Sequence, residues 1–168
     1  MELLAAGRTA DVYALDDHRV LRRYRTRHGV EPEAADLHRR LHALPARLSG
    51  DPAVRILHRD LHPENVIMTP DGPYLIDWTN AAEGDPAIDV AFSALILAEV
   101  AVGDFGVPPE QVRALLTAFL GYAGPVPPSA LEQTVALRAA DPHLSPAEVA
   151  RLGAASALVS GIDAARTG

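Results

Sequence analysis

Apolar and polar positions follow two different patterns along the chain. The first 25 residues contain short β-prone runs separated by turns, which predicts three strands at residues 3–6, 11–15 and 19–25. From residue 33 onward, apolar residues recur mostly at three- and four-residue spacing, which is typical of helices packed on a core. The predicted helices are residues 33–44, 85–102, 109–120, 129–140 and a last one that begins at Ser145.

Two of these helices carry start signals in the sequence. Asp85 followed by Pro86 is a capping residue with proline at the first helical position. Ser145 and Glu148 have the spacing of a capping box. Residues 88–102 are apolar almost all round, which predicts a buried central helix.

The helix at residues 33–44 carries a histidine pair, His38 and His42, at the spacing of a zinc-binding pair. The metalloprotease motif requires Glu after the first His, and Arg39 stands there instead. We therefore expect both histidines to face solvent. The helix should end or kink at Pro45, and its apolar face should consist of Leu37, Leu41 and Leu44.

A β-hairpin is predicted where the apolar runs at residues 66–68 and 74–76 flank an Asp-Gly turn. Polar residues stand just before its first strand and just after its second. Because a hairpin brings those two ends together, Asp60, Asn65 and Asp77 are expected to face one small volume.

Phosphoryl transfer requires such a set of residues. A carboxylate, Asp60, orients the attacking hydroxyl and takes its proton, while Asn65 and Asp77 supply hard oxygen ligands for Mg²⁺. Two other interpretations remain open. His58, Asp60, His62 and Asp77 could form the metal centre of a hydrolase, or Asp60 and Asn65 could simply be turn residues.

Composition narrows the class of protein. The 168 residues suit one ordinary domain or two very small ones. They are 48% hydrophobic, enough for a sizeable core, and Cys is absent. The net charge of −7 argues against nucleic acid as a partner and is compatible with a cationic small substrate. No leader-like segment is visible and the longest apolar run is too short to span a bilayer, so we expect a cytoplasmic protein with no membrane partner.

Three motifs in order carry a family resemblance. They are H-x-D-x-H-x-x-N at residues 58–65, I-D-W at 76–78 and G-D-P-x-x-D at 84–89. Together they resemble the aminoglycoside phosphotransferase and choline kinase group of small-molecule kinases. The resemblance implies a protein-kinase-like α+β fold, with a reduced β lobe at residues 1–30 and a mainly helical catalytic lobe at residues 31–168 that contains the hairpin.

The resemblance also implies ATP and Mg²⁺ as cofactors and a hydroxyl of a small molecule as acceptor. His58 and His62 belong to the catalytic motif with Asp60, and we expect His62 to support the loop. Asp89 matches the residue that braces the catalytic loop in the family. By the same resemblance the turn Gly7-Arg8-Thr9 would cover the phosphates.

The N-terminal segment departs from the family pattern. All 15 basic residues are Arg, so Arg22 stands where the resemblance places the phosphate-binding lysine; the alternative is that Arg22 belongs to a charged edge strand. The family's Glu-bearing helix, later strands and adenine-binding hinge are missing from the sequence. This gap leaves open a kinase-like binding module without turnover, and it predicts a homodimer formed through residues 3–25.

Overall fold

The computed structural model describes residues 2–6, 10–14, 20–24, 31–69 and 72–167. Three short strands form an antiparallel sheet in the order β1-β2-β3. The predicted strands are confirmed to within one or two residues at each end. Their bounds are β1 Glu2–Ala6, β2 Ala10–Ala14 and β3 Val20–Tyr24.

Five helices make up most of the described part of the chain. The two predicted start signals form: the Asp85 carboxylate accepts a hydrogen bond from Ala87 N (2.9 Å), and Ser145 and Glu148 cap each other's backbone N–H groups. All five helices were predicted. Their bounds are α1 Glu31–His42, α2 Pro86–Val102, α3 Pro109–Ala123, α4 Pro128–Ala139 and α5 Pro146–Thr167.

Helix α2 is the centre of the core, as its all-round apolar sequence predicted. Twelve of its 17 residues are buried, and α3, α4 and α5 all pack against it. Leu95 on α2 and Leu116 and Leu120 on α3 are fully buried. Burial on every side makes α2 a rigid support for whatever its first turn contacts.

The predicted hairpin is confirmed. Strands β5 (Val66–Thr69) and β6 (Gly72–Leu75) pair antiparallel, with Val66 opposite Leu75. A second ladder was not predicted: β4, Arg55–Leu57, pairs with β7, Ala82–Gly84. Three-residue strands are too short to show a two-residue period, and Ala-Glu-Gly has little strand propensity. This ladder brackets the hairpin and brings the chain before it close to the chain after it.

Two predictions about α1 were wrong. The first is Leu44: the helix ends at His42, and Leu44 lies beyond it with 52% of its surface exposed. The reason lies in the next residue, because proline disfavours helical backbone in the residue before it. Pro45 instead forms an isolated bridge with Arg55.

The second is the histidine pair. His38 is 2% exposed, and the side chain of His42 is 13% exposed. They do not face solvent because this side of α1 turns toward α2, where Asp89 and Ser93 provide polar partners.

Helices with small antiparallel sheets make a mixed α/β structure, consistent with a reduced kinase-like fold. The division into lobes at residues 1–30 and 31–168 stays a prediction. In the part of the chain that the structure describes, no helix combines the length and the apolar character needed to cross a membrane.

Candidate active site

The candidate active site begins with the loop that follows β4, and Asp89 holds that loop in place. The Asp89 carboxylate accepts hydrogen bonds from His58 N (3.1 Å) and Arg59 N (2.6 Å). Asp89 lies in the first turn of α2, where the helix dipole favours an anion, and it is fully buried. The contacts agree with the bracing role that the family resemblance implied.

The partners of Asp89 favour the ionised form of its buried carboxyl. Burial alone would raise the pKa of its carboxyl, but His38 and His42 beside it, together with the Arg59 N–H group, hold the pKa well below its usual range. A carboxylate that accepts several donors is stabilised in its charged form.

Arg59 has a left-handed backbone conformation, with φ at 60°. Residues other than glycine adopt this region rarely and at some cost. Its backbone N–H bond to Asp89 and its side-chain Nε bond to Asn80 O (2.7 Å) hold it there. Asp60 follows this turn and is partly exposed. Sequence reasoning had assigned Arg59 no role.

His58 connects the loop to the end of the hairpin. Its Nε2–H donates to Ile76 O (3.0 Å), and its ring meets Trp78 edge-on at 4.8 Å between centroids. Burial lowers the pKa of His58, against the opposing influence of the Ile76 carbonyl and Asp89. His58 is thus a neutral, fully buried side chain, which favours a positioning role over contact with substrate.

Asp60, His62 and Asn65 come together in this loop. Asn65 Nδ2 donates to Asp60 O (2.8 Å) and to Asp60 Oδ2 (3.1 Å), and His62 Nε2 lies 3.8 Å from Asp60 Oδ1. A 3₁₀ turn, Pro63–Asn65, sets this arrangement and leads directly into β5. Asp60 keeps partial solvent exposure while Asn65 is buried beneath it.

Asp77 follows the second strand, at the same open end of the hairpin as Asn65. Ile76 N donates to Asn65 O (2.9 Å), so the residue before Asp77 faces Asn65 across the two strands. Asp77 has a left-handed backbone (φ 62°), and its exposed carboxylate accepts a hydrogen bond from Thr79 Oγ1 through Oδ1 (2.8 Å). The hairpin thus brings Asn65 and Asp77 near each other, as expected from its register.

Two oxygens at this end of the hairpin are suited to a hard cation. The Asn65 amide must direct its nitrogen at the two Asp60 oxygens, because both can only accept. Its Oδ1 receives no hydrogen bond from any described residue, and the same holds for Asp77 Oδ2. Amide and carboxylate oxygens are the ligands that Mg²⁺ prefers.

The comparison with protein families is decisive at this point. The model of the phosphotransferase enzyme family matches residues 5–132, which is 128 of the 168 residues. The chain belongs to the phosphotransferase enzyme family. The matched segment includes the loop, the hairpin and the first turn of α2, so the braced Asp60 loop lies within the region that defines the family. Comparisons with curated proteins and with solved structures gave no match.

The residues predicted to contact phosphate lie in the N-terminal segment of the chain. Gly7, Arg8 and Thr9 lie outside the described residues, and Arg22 is placed by its backbone in β3, opposite Val12. Only residues 25–30 separate β3 from α1. Six residues are too few for a helix, two strands and an adenine-binding hinge, which agrees with the gap seen in the sequence.

The structure also bears on the hydrolase interpretation. Within the described ranges, one group brings three His, Asp or Glu ligand atoms within 4.8 Å of one another, and it consists of His38, His42 and Asp89. The set His58, Asp60, His62 and Asp77 is not gathered in this way. In the described part of the chain, the four residues do not form the compact centre that a metal-dependent hydrolase requires.

Proposed function

We propose that this chain transfers a phosphoryl group from Mg²⁺-ATP to a hydroxyl of a small molecule. The observation that carries the proposal is the hydrogen bond from Asn65 Nδ2 to Asp60 Oδ2 in a chain of the phosphotransferase family. The backbone hydrogen bond between Ile76 and Asn65, next to Asp77, supports it. A proton acceptor next to a hard-cation site is the arrangement that phosphoryl transfer uses.

Asp60 is the proposed catalytic base. Its Oδ2 accepts from Asn65, which fixes the carboxylate plane and leaves Oδ1, on the His62 side, to take the proton of the attacking hydroxyl. His62 at 3.8 Å from Oδ1 supports this orientation. Asn65 thereby connects the base to the proposed metal site, because its Nδ2 donates to Asp60 and its Oδ1 remains available to the ion.

Asn65 Oδ1 and Asp77 would hold Mg²⁺. When bound, Mg²⁺ supplies neutralisation of phosphate charge and fixes the phosphates in place. Arg22 and the turn Gly7-Arg8-Thr9 would contribute the remaining phosphate contacts, since the chain contains no lysine. A guanidinium keeps the positive charge but binds phosphate through a planar fork.

The acceptor is proposed only by class. A net charge of −7 is compatible with a cationic small molecule that carries a hydroxyl group. The short connection between β3 and α1 supports one alternative, a family member that binds nucleotide without turning it over.

Release of ADP in the presence of Mg²⁺, ATP and a panel of hydroxyl-bearing small molecules tests the proposal. We expect Asp60→Asn to abolish turnover while Mg²⁺-ATP binding stays nearly intact, because Asn cannot accept the proton. Asp104→Asn, an exposed aspartate on the α2–α3 connection, is the matched control and should react like wild type. Unchanged turnover in Asp60→Asn would refute the assignment of the base. Binding without turnover for every acceptor would favour the binding module.

A further inference from the structure

We propose that His38, His42 and Asp89 form a binding site for a transition-metal ion such as Zn²⁺, separate from the Mg²⁺ site. Asp89 Oδ2 lies 3.3 Å from His38 Nδ1 and 3.0 Å from His42 Nε2. Two histidines four apart on α1 thus converge on a carboxylate from α2. The side chains of His38 and Asp89 are 3% and 0% exposed, so this group is a buried cluster rather than a surface one.

The hydrogen bonds around His38 identify which of its nitrogens carries a proton. The Ser93 hydroxyl donates its single hydrogen to Leu61 O at 2.6 Å. Ser93 Oγ can therefore only accept from His38 Nε2, 3.0 Å away, so Nε2 is protonated. In a neutral imidazole the other nitrogen, Nδ1, then presents a lone pair.

His38 Nδ1 faces a carboxylate. His38 Nδ1 is buried and has no hydrogen-bond partner, although Asp89 Oδ2 is only 3.3 Å away. A carboxylate oxygen and an imidazole nitrogen this close together are held by a cation between them, either a proton on Nδ1 or a metal ion. The orientation is poor for an N–H···O hydrogen bond, whereas a metal ion coordinated by both atoms needs no such alignment.

The distances suit a tetrahedral ion. Metal–nitrogen and metal–oxygen bonds of roughly 2.0–2.1 Å at tetrahedral angles separate two ligand atoms by about 3.3 Å. The two distances to Asp89 Oδ2, 3.3 and 3.0 Å, are close to this value. The ligand atoms of the whole group lie within 4.8 Å of one another.

The surroundings resemble those of known metal sites. A metal-bound histidine usually donates its second N–H to a neighbouring acceptor, and a metal-bound carboxylate is itself hydrogen-bonded. Ser93 Oγ accepts the second N–H of His38. The backbone N–H groups of His58 and Arg59 donate hydrogen bonds to the Asp89 carboxylate. Two imidazoles and one carboxylate favour Zn²⁺, Co²⁺ or Ni²⁺ over Mg²⁺. An ion here would connect α1 to α2 and to the catalytic loop.

Titration of metal-free wild-type protein with Co²⁺, followed by its visible absorption, and with Zn²⁺, followed by calorimetry, tests this proposal. We expect one equivalent to bind with the absorption of a low-coordinate site, and millimolar Mg²⁺ should not displace it. His38→Gln should abolish binding, and His143→Gln, an exposed histidine between α4 and α5, should bind like wild type.

Ser93→Ala separates coordination from simple packing. Without Ser93 Oγ as acceptor, His38 can shift its proton to Nδ1 and donate it to Asp89, which competes with the metal. The affinity should fall by about 10- to 100-fold. Failure of wild type to bind Co²⁺ or Zn²⁺ would overturn the proposal. It would mean that a proton, and not a metal ion, lies between His38 and Asp89. Displacement of the bound Co²⁺ or Zn²⁺ by millimolar Mg²⁺, or unchanged metal affinity in Ser93→Ala, would also overturn the proposal. These two results decide the question even if the His38→Gln variant does not fold.

Discussion

Replacement of Asp89 by Asn tests the brace of the catalytic loop. The carboxylate accepts from His58 N on one oxygen and from Arg59 N on the other. An asparagine side chain has one oxygen only, so its NH₂ group must face one of these two N–H groups. The variant therefore loses a charge-assisted hydrogen bond and leaves a backbone N–H without an acceptor.

The magnitude follows from these two losses. A hydrogen bond to a charged group contributes about 1.5–3 kcal/mol, and an unsatisfied buried donor costs about 1–3 kcal/mol. Asp89→Asn should therefore lower the free energy of unfolding by about 2.5–6 kcal/mol, a large part of the roughly 5–15 kcal/mol typical of a domain.

Urea unfolding followed by far-UV circular dichroism, in the presence of a chelator, measures this loss without any contribution from bound metal. The exposed residue Asp104 serves as control, and Asp104→Asn should change the stability by less than about 0.5 kcal/mol. If Asp89→Asn changed the stability as little as the control does, the claim that the Asp89 carboxylate holds the catalytic loop in place would be refuted.

Three further predictions concern pH, nucleotide and assembly. The pKa of His58 is lowered in the folded state, so below the ordinary histidine pKa of about 6.5 the unfolded chain binds more protons than the folded chain. The urea midpoint of unfolding should therefore fall as the pH drops through that value, and it should fall less in His58→Gln. Without a hinge, ATP and GTP should bind with similar affinity in calorimetry, and a strong preference for ATP would contradict this. A three-stranded sheet is small to be stable alone, so light scattering should show a dimer of the full chain and a monomer once residues 1–27 are removed. A monomeric full chain at high protein concentration would refute the predicted dimer.

Local signals account for the parts of the fold that could be predicted. Asp85-Pro86 and Ser145 to Glu148 act within one helical turn, and the Asp-Gly turn of the hairpin acts between adjacent strands. Since the hairpin fixes which residues meet at its ends, the proximity of Asn65 and Asp77 could be inferred from the sequence as well.

The parts that were missed depend on contacts distant in sequence. His38 and His42 were expected at the surface, because nothing near them in the chain reveals that Asp89, about 50 residues later, lies against the same helix face. The β4–β7 ladder joins segments 25 or more residues apart with no recognisable strand pattern. The left-handed turn at Arg59 likewise follows from its tertiary partners Asp89 and Asn80 rather than from its residue type.

Calorimetric titration of wild type and Asp77→Asn with ATP, with and without Mg²⁺, tests the central claim most directly. The account predicts Mg²⁺-dependent ATP binding by wild type and a strong weakening in Asp77→Asn, because the exposed Asp77 carboxylate would hold the ion that the phosphates need. ATP binding that is independent of Mg²⁺, or that is unchanged in Asp77→Asn, would contradict it.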